Sequence, residues 1–479
     1  MKITLSFLQS FFCGSLLLLS QSTCNAQPAG KIKTEAGIEQ QIDQLVQQYQ
    51  ALDLFSGVIL LAEQGMPIYH KAFGLANRST NRPNTTETLF DIGSMNKTFT
   101  SIVVKQLIGE GKLSYSSKMV DYLDDFTASG TERITVEHLL NHQSGFGDYH
   151  SRDYFESSAD ERKLSAIIER ARHMELLFPP GESDEYSNTG FVLLGGIIEA
   201  VTGRSYFDEV LDRIVKPLGL QQTYLQDLDQ YADRCATGYF YNPLGQLQTA
   251  NDFQDEPNPD GGFLATAMDV MKFYRSYYYD DVLLSEEIKQ DDPFFQFIRQ
   301  MEPGKAPGAA GGFEGFNTAL FQVISDDRTI IVFANMDEPV AENLALGILD
   351  LTRGKTPPAP VKPAVQNIRE HYEQYGADYI KTHFDSLTVN FHPTDPRDFI
   401  LNALGYAYLY DAQNVEQALI YFQLNTELFP EVANVWDSYG EGLRISGKKE
   451  AALQAYKKAL ALAPNLPSAK EAVAELEKE

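Results

Sequence analysis

The sequence predicts an α/β domain, in which helices flank an antiparallel sheet, followed by an all-α domain of helical repeats. Three observations support this division. Hairpin patterns of short apolar strands lie at both ends of the region 33–352, and the residues between them have helical periodicity. The proline-dense stretch 355–363 comes next. Beyond it the pattern is entirely helical, and a chain of 479 residues is long enough for two such domains.

The N-terminal residues 1–26 have the pattern of a secretory signal peptide. Lys2 precedes an apolar run that ends at Leu19, and a small-residue cleavage site ending at Ala26 follows. The run is too short for a comfortable membrane span. Cys24 leaves a lipoprotein anchor as a less favoured alternative, because Gln21 stands where that motif needs an aliphatic residue. We therefore expect an exported protein, periplasmic or secreted.

Composition limits the partners of the mature protein. Cleavage after Ala26 removes two of the three cysteines and leaves Cys235, so no intramolecular disulfide is expected. The net charge of −27 argues against nucleic acid and anionic membrane surfaces as partners. No other apolar segment is long enough to span a bilayer. The mature chain is therefore expected to be soluble and to lack a membrane span.

The first domain, residues 33–352, is expected to begin and end with strands. Turn residues separate the strands of each pair, Glu63-Gln64-Gly65 in the first and Ser325-Asp326-Asp327 in the second. Strands at both ends of a helical middle fit an α/β layer in which the two ends of the domain come together. The expected elements are a helix at 38–52, strands at 56–62, 66–73, 317–324 and 329–334, and a closing helix at 344–351.

A linker, residues 353–365, separates this domain from a helical domain at 366–479 with an internal repeat. Small, aromatic and proline positions recur at a spacing of 34 residues, since Ala418, Phe422 and Pro430 are followed by Ala452, Tyr456 and Pro464. The pattern resembles the tetratricopeptide repeat, with units at about 398–431 and 432–466. The repeats are expected to be structural or, alternatively, to bind a protein or peptide partner.

The segment Ser94-Met95-Asn96-Lys97 carries the candidate nucleophile. Residues three apart lie on one face of a helix, and the apolar positions that follow have helical spacing. A serine hydroxyl needs a base to remove its proton, and a buried lysine with a lowered pKa provides one. A helix that begins near Ser94 also presents N–H groups to an oxyanion. The same Ser-x-x-Lys spacing occurs at Ser446–Lys449, in a polar turn, so the motif alone does not decide the site.

A second candidate group lies in the segment Tyr186-Ser187-Asn188. It stands between the turn Pro179-Pro180-Gly181 and a helix that is expected to begin near Thr189. A tyrosine beside a lysine ammonium has its phenolate favoured and can carry a proton between nucleophile and leaving group. The asparagine amide can hydrogen-bond to the substrate or to the lysine. Taken alone, a half-buried structural tyrosine is the commoner role for such a motif.

Together these segments resemble the serine β-lactamase-related family, which includes class C β-lactamases, penicillin-binding DD-peptidases and family VIII-type esterases. The resemblance implies the β-lactamase/transpeptidase fold, an antiparallel sheet flanked by helices plus a mostly helical lobe. It also implies that Ser94 is acylated, with Lys97 as its base, and that Tyr186 and Asn188 form the family's Tyr-x-Asn pair. An N–H near Gly312, with that of Ser94, would make the oxyanion hole. The matching segments occur in the family's order over roughly residues 37–352: FDIGSMNKTFTS, ITVEHLLNHQSGFGDY, PPGESDEYSNTGFVLLGGIIEAVTG, IVKPLGLQQTYL, PDGGFLATAMDVMKF and GGFEGFNT.

One departure from the family bears on the substrate. On the strand that forms one wall of the site, members usually carry Lys-Thr-Gly or His-x-Gly, whereas this chain has Ala309-Ala310-Gly311. The missing side chain would bind a substrate carboxylate, so β-lactams and D-Ala-D-Ala peptides are disfavoured while ester or amide hydrolysis is not. His142, in a matched segment, is expected to be structural. No metal-ligand or nucleotide-binding pattern occurs in the sequence, and no cofactor is expected.

The sequence thus predicts an exported serine hydrolase that acts through an acyl-enzyme on small esters, amides or peptide-like substrates. Two alternatives stay open. The first is a β-lactamase or a D-Ala-D-Ala carboxypeptidase of the penicillin-binding class. The second is a binding or regulatory protein that keeps the fold without turnover.

Overall fold

The computed structural model of the protein describes residues 35–250, 257–337, 339–389 and 396–478. The predicted signal peptide, residues 1–26, lies outside the described residues. The chain divides into two compact units. One contains the described residues up to Phe240 and from Thr249 to Ala359, and the other contains Tyr241–Gln248 and the described residues from Pro360 onwards.

An antiparallel sheet of five strands forms the centre of the first unit. Its strand β1 (Gly57–Glu63) pairs with β5 (Arg328–Ala334) so that Gly57 lies opposite Ala334, which makes the first and last strands of this sheet neighbours. The predicted antiparallel sheet, joined by the two ends of the domain, is therefore confirmed. The strands are β1 (Gly57–Glu63), β2 (Met66–Phe73), β3 (Gly308–Phe313), β4 (Phe316–Val323) and β5 (Arg328–Ala334), in the spatial order β3-β4-β5-β1-β2.

The turns of both hairpins lie at the turn residues that were predicted from the sequence. Gln64 and Gly65 have φ angles of 51° and 75°, and Asp327 has a φ angle of 45°. Left-handed backbone of this kind is cheapest for glycine and tolerated by aspartate. Shorter strands occupy Leu75–Asn77, Arg82–Pro83, Phe90–Asp91, Thr223–Tyr224, Tyr239–Tyr241, Leu247–Thr249 and Leu264–Ala265.

Helices pack on both faces of the sheet, and most helices of this unit lie in the chain between β2 and β3. The side chains of β1 alternate: Val58 and Leu60 join the core cluster that contains Phe273 of the helix Ala267–Tyr279, whereas Ile59 and Leu61 are buried outside that cluster. The helices are α1 (Glu35–Ala51), α2 (Lys97–Gly109), α3 (Val136–Leu140), α4 (Arg152–Phe155), α5 (Leu164–Arg172), α6 (Asn188–Thr202), α7 (Tyr206–Val210), α8 (Lys216–Leu218), α9 (Ala267–Tyr279), α10 (Glu286–Asp291), α11 (Pro293–Arg299) and α12 (Val340–Thr352).

The helix α2 is anchored deep in this unit. Phe99, Ile102 and Leu107 are at most 1% exposed, as the predicted apolar face requires. The ring of Phe99 stacks on that of Phe273, with 3.8 Å between the ring centroids. The packing of its apolar face fixes α2 in the core, and the residues at the N-terminus of the helix are positioned by this packing.

The second unit is helical from Ala364 onwards in its described residues. Two equivalent positions of the predicted repeat have equivalent packing, because glycine on one helix lies against an aromatic ring on the next. A Cβ on Gly405 would lie 2.4 Å from the ring of Phe422, and one on Gly440 would lie 3.0 Å from that of Tyr456. The helices are α13 (Ala364–Tyr375), α14 (Ala377–Leu387), α15 (Phe399–Tyr406), α16 (Val415–Leu428), α17 (Ala433–Ile445), α18 (Lys449–Leu462) and α19 (Pro467–Leu476).

A search of the described residues for a helix that is long and apolar enough to cross a membrane finds none.

Candidate active site

The candidate nucleophile lies in a tight turn that leads into α2. Residues Gly93–Asn96 form a 3₁₀ turn, and the α-helix begins at Lys97, three residues later than the predicted start near Ser94. Side chains three apart nearly eclipse one another in a 3₁₀ turn. Lys97 Nζ consequently lies 3.0 Å from Ser94 Oγ. The turn has no side-chain cap, and Asp91 accepts a hydrogen bond of 2.8 Å from the N–H of Gly93.

Strand β3 packs backbone against backbone on this turn. A Cβ on Gly311 would lie 2.0 Å from the carbonyl oxygen of Ile92 and 2.9 Å from the nitrogen of Ser94. Gly93, with a φ angle of 51°, would carry its Cβ 2.8 Å from the nitrogen of Gly312. Only glycine allows so close an approach. Gly312, predicted to be an oxyanion donor, therefore lies beside the serine turn.

Tyr186 lies two residues before the start of α6 and contacts Ser94, which is 92 residues earlier in the sequence. Its hydroxyl oxygen lies 2.8 Å from Ser94 Oγ, and Lys97 Nζ lies 4.9 Å above the centre of its ring. The next residue, Ser187, caps α6 by accepting a hydrogen bond from the N–H of Gly190. The cap fixes the start of the helix, and the position of Tyr186 with it.

His142 supports the loop that carries Tyr186. Its Nδ1 accepts a hydrogen bond from the N–H of Ser187, and its ring centre lies 4.6 Å from that of Tyr186. Burial, followed by the nearby charge of Lys97, lowers the pKa of His142 to about 3. The imidazole is therefore neutral near pH 7, with its proton on Nε2. This geometry agrees with the structural role expected from the sequence.

The amine of Lys97 is surrounded by hydrogen-bond acceptors. Lys97 is 6% exposed, and its amine donates to the carbonyl oxygen of Asp260 at 2.8 Å and to Asn188 Oδ1 at 2.6 Å, in addition to Ser94. Ser94, Lys97, Tyr186 and Asn188 are thus brought together as the sequence predicted. Their catalytic roles stay predictions.

Three contributors to the site were missed from the sequence. Asp260 acts through its backbone carbonyl, which no side-chain motif reports. Asp148 accepts a hydrogen bond of 2.6 Å from Asn188 Nδ2, and His150 Nδ1 lies 3.2 Å from the same nitrogen. Asp148 is the penultimate residue of the matched segment that ends in Gly147-Asp148-Tyr149, and His150 follows that segment directly, so a polar pair at the end of a loop was the only sign available.

The wall formed by β3 is apolar where the family usually has a cation. Ala309 packs against the hydrophobic core, and Ala310 is buried. Further along the strand, the ring centre of Phe313 lies 6.5 Å from that of Phe155. At the tip of the hairpin, burial and the charge of Asp337 raise the pKa of Glu314 to about 7. Of the positions predicted for the wall triplet, 309–311, none supplies a positive charge to a substrate.

The described residues hold no group of three or more His, Cys, Asp or Glu side chains that could bind a metal ion. Within the same residues, Cys235 is free and buried.

Comparisons with known proteins agree on the first unit of the chain. The profile of the Beta-lactamase family matches residues 42–350, a range that contains every site residue described above. Penicillin-binding protein 4* of Bacillus subtilis (strain 168) is 31% identical over 316 residues, which cover 59% of this chain and 69% of that protein. A teichoic acid D-alanine hydrolase of Staphylococcus aureus is 27% identical over 299 residues, which cover 60% of this chain and 72% of that protein. The crystal structure of a penicillin-binding protein from Bacillus halodurans superimposes with a TM-score of 0.55 at 25% identity, covering 64% of this chain and 99% of its own.

Proposed function

The chain belongs to the β-lactamase family of serine hydrolases, and from this premise we propose that it cleaves small esters, amides or peptide-like substrates through an acyl-enzyme on Ser94. The observation that carries the proposal is the position of the Ser94 hydroxyl, 3.0 Å from Lys97 Nζ and 2.8 Å from Tyr186 Oη. A serine placed between two groups that can take its proton has the geometry of an activated nucleophile.

The proposed acylation starts with transfer of the Ser94 proton to the neutral amine of Lys97, while Oγ bonds to the carbonyl carbon of the substrate. The N–H groups of Ser94 and Gly312 stabilise the oxyanion. Tyr186 then carries the proton to the leaving oxygen or nitrogen, whose bond to carbon breaks and leaves the acyl group on Ser94. A water molecule then attacks the acyl carbon while its proton passes through the Tyr186 hydroxyl to the amine of Lys97, which is neutral again after acylation. That proton returns to Ser94 Oγ as the bond from Oγ to the acyl carbon breaks, which releases the acid and restores the serine.

Replacement of Tyr186 by phenylalanine tests the role of its hydroxyl. The change removes the oxygen that lies 2.8 Å from Ser94 Oγ and keeps the ring that packs on His142. We expect kcat for p-nitrophenyl acetate to fall by about two to four powers of ten, the usual scale for a general acid–base group. Tyr69→Phe is the matched control, because Tyr69 is also buried and its hydroxyl also makes a hydrogen bond, to Asp43 Oδ1 at 2.6 Å, outside the site. Turnover of Tyr186→Phe at the level of the control would refute the assignment.

The apolar wall favours the proposal that the substrates bind without a carboxylate. Ala309 stands where the family usually has a lysine or histidine, and neither neighbour in the triplet supplies a charge. Esters and amides that lack a carboxylate do not need an ion pair with this wall, so its missing cation does not weaken their binding. The relative named as a teichoic acid D-alanine hydrolase is compatible with this substrate class. The alternative of a β-lactamase or D-Ala-D-Ala carboxypeptidase rests on the relatives named as penicillin-binding proteins.

A comparison of three substrates separates these candidates. The mature protein is given p-nitrophenyl acetate, nitrocefin and a peptide that ends in D-Ala-D-Ala, and kcat/KM is measured for each. We expect the ester to be cleaved and the two carboxylate-bearing substrates to have a kcat/KM at least about 100-fold lower, the discrimination expected when a charged group is left without its partner. A preference for nitrocefin would establish the β-lactamase alternative, and release of D-alanine as the main activity would establish the carboxypeptidase.

The remaining parts of the chain have separate proposed roles. Residues 1–26 direct export, so that the hydrolase domain at 33–352 acts outside the cytoplasm. The linker at 353–365 leads to the helical domain at 366–479, whose matched glycine–aromatic contacts support two tetratricopeptide-like units. These units either stabilise the chain or bind a protein or peptide partner. The family profile ends at residue 350, before this domain.

A further inference from the structure

The amide of Asn188 lies between the amine of Lys97 and the carboxylate of Asp148. Its Oδ1 accepts a hydrogen bond of 2.6 Å from Lys97 Nζ. Its Nδ2 donates one of 2.6 Å to Asp148 Oδ2. The same loop holds Asp148 in place, because the backbone N–H of His150 donates to Asp148 Oδ1 at 3.0 Å. The side chain of Asp148 is only 15% exposed.

The donors of Lys97 and the acceptors of Asp148 favour one orientation of this amide. The amine of Lys97 offers N–H donors, the carboxylate of Asp148 only accepts, and the amide has an accepting end and a donating end. Turning the amide over would put its oxygen against the carboxylate, where two acceptors repel each other. Burial alone would raise the pKa of Asp148, but the charge and hydrogen bonds of His150 and the hydrogen bond from Asn188 lower it overall. The carboxylate therefore stays ionised near pH 7.

The orientation of the amide decides where the lone pair of a neutral Lys97 points. A neutral amine has two N–H bonds and one lone pair. Asn188 Oδ1, at 2.6 Å, and the carbonyl oxygen of Asp260, at 2.8 Å, accept the two N–H bonds. The lone pair is then directed at Ser94 Oγ, at 3.0 Å, and receives the serine proton. With the amide reversed, the NH₂ group of Asn188 would donate to that lone pair and block it.

We propose that Asp148 is a positioning residue, which fixes the amide of Asn188 and through it aims the lone pair of Lys97 at Ser94. The proposal rests on the proposed function, because it gives Asp148 a task in the activation of the same serine. It assigns Asp148 no contact with the substrate. Its effect is therefore on the rate of acylation and not on substrate binding.

A double-mutant cycle tests this proposal. Asp148→Asn is made in the wild type and in an Asn188→Ala background, and two quantities are measured: kcat and KM for p-nitrophenyl acetate, and the rate of labelling by a fluorophosphonate. In the wild type we expect kcat and the labelling rate to fall by about 10- to 100-fold with KM unchanged. In the Asn188→Ala background we expect a further change of less than about threefold, because residues that act through one another are not additive.

Two additional variants control for misfolding and for the general effect of losing a buried carboxylate. Asp148→Ala, which removes the acceptor without adding a donor, is run in parallel in case Asp148→Asn does not give a cooperative thermal unfolding transition. Asp269→Asn controls for the loss of a buried carboxylate, since Asp269 is 2% exposed and accepts hydrogen bonds from Gln222 and Thr223. This control is expected to keep kcat within about threefold of wild type.

The outcomes separate the two proposals. Equal losses in both backgrounds would mean that Asp148 acts independently of Asn188 and would overturn the positioning role. A folded Asp148 variant with wild-type kcat and labelling would overturn it too, while the proposed function stands. A wild-type protein that neither hydrolyses the ester nor reacts with the fluorophosphonate would overturn the proposed function and this proposal together.

Discussion

Replacement of Ser94 by alanine is expected to abolish ester hydrolysis. The variant removes the oxygen that lies between Lys97 Nζ and Tyr186 Oη and leaves both of those groups in place. Without a nucleophile no acyl-enzyme forms, and we expect kcat for p-nitrophenyl acetate to fall by at least about three powers of ten. Because Ser94 is small and only partly buried, the thermal unfolding temperature is expected to stay close to that of the wild type.

The chain supplies its own control for this variant. Ser446 begins the second Ser-x-x-Lys sequence, but it follows the last residue of α17, and its hydroxyl donates to the carbonyl oxygen of Leu443 at 2.8 Å. Ser446→Ala is expected to keep wild-type turnover. Equal rates for Ser94→Ala and the wild type would remove Ser94 from the mechanism, whatever Ser446→Ala does.

Replacement of Lys97 by alanine is expected to give the second large effect. The amine is buried, lies 3.0 Å from Ser94 Oγ and is held by two carbonyl oxygens, which suits a base that takes the serine proton. We expect kcat for p-nitrophenyl acetate to fall by about two to four powers of ten. The measurement is paired with thermal unfolding, which identifies any loss that comes from misfolding.

Lys97→Arg distinguishes a base from a mere positive charge. A guanidinium keeps the charge but does not lose its proton in proteins, so it cannot accept the proton of Ser94. If Lys97 acts as the base, Lys97→Arg is expected to be as impaired as Lys97→Ala. Recovery of most of the wild-type kcat in Lys97→Arg would show that the site needs a cation at this position and that another group is the base.

The sheet could be predicted from the sequence because its signals are local. The hairpins combine apolar runs with turn residues that tolerate positive φ, such as Gly65 and Asp327, and the observed bounds of β1, β2, β4 and β5 differ from the predicted ones by at most one residue. The 3₁₀ turn at Ser94 could not be predicted in the same way. It depends on the close approach of Gly311, more than 200 residues away along the chain, to the backbone of Ile92 and Ser94.

The candidate site also contains residues that local motifs predict and residues that only long-range contacts bring into place. Ser94, Lys97, Tyr186 and Asn188 lie in short motifs whose spacing carries chemistry, and the structure brings them within hydrogen-bond distance of one another. Asp260 contributes a carbonyl oxygen, which every residue type has. Asp148 meets Asn188 only because a loop 40 residues earlier folds against the start of α6. Contacts of this kind are decided by tertiary packing and leave no pattern in one sequence.

The central claim is that the Ser94 hydroxyl is the nucleophile, and covalent labelling tests it most directly. The mature protein is treated with a fluorophosphonate, digested, and examined by mass spectrometry for the modified residue. The account predicts a single adduct on the peptide that contains Ser94, absent from Ser94→Ala and retained in Ser446→Ala. An adduct on another residue, or a wild-type protein that stays unmodified while Tyr186 and Lys97 are intact, would contradict it.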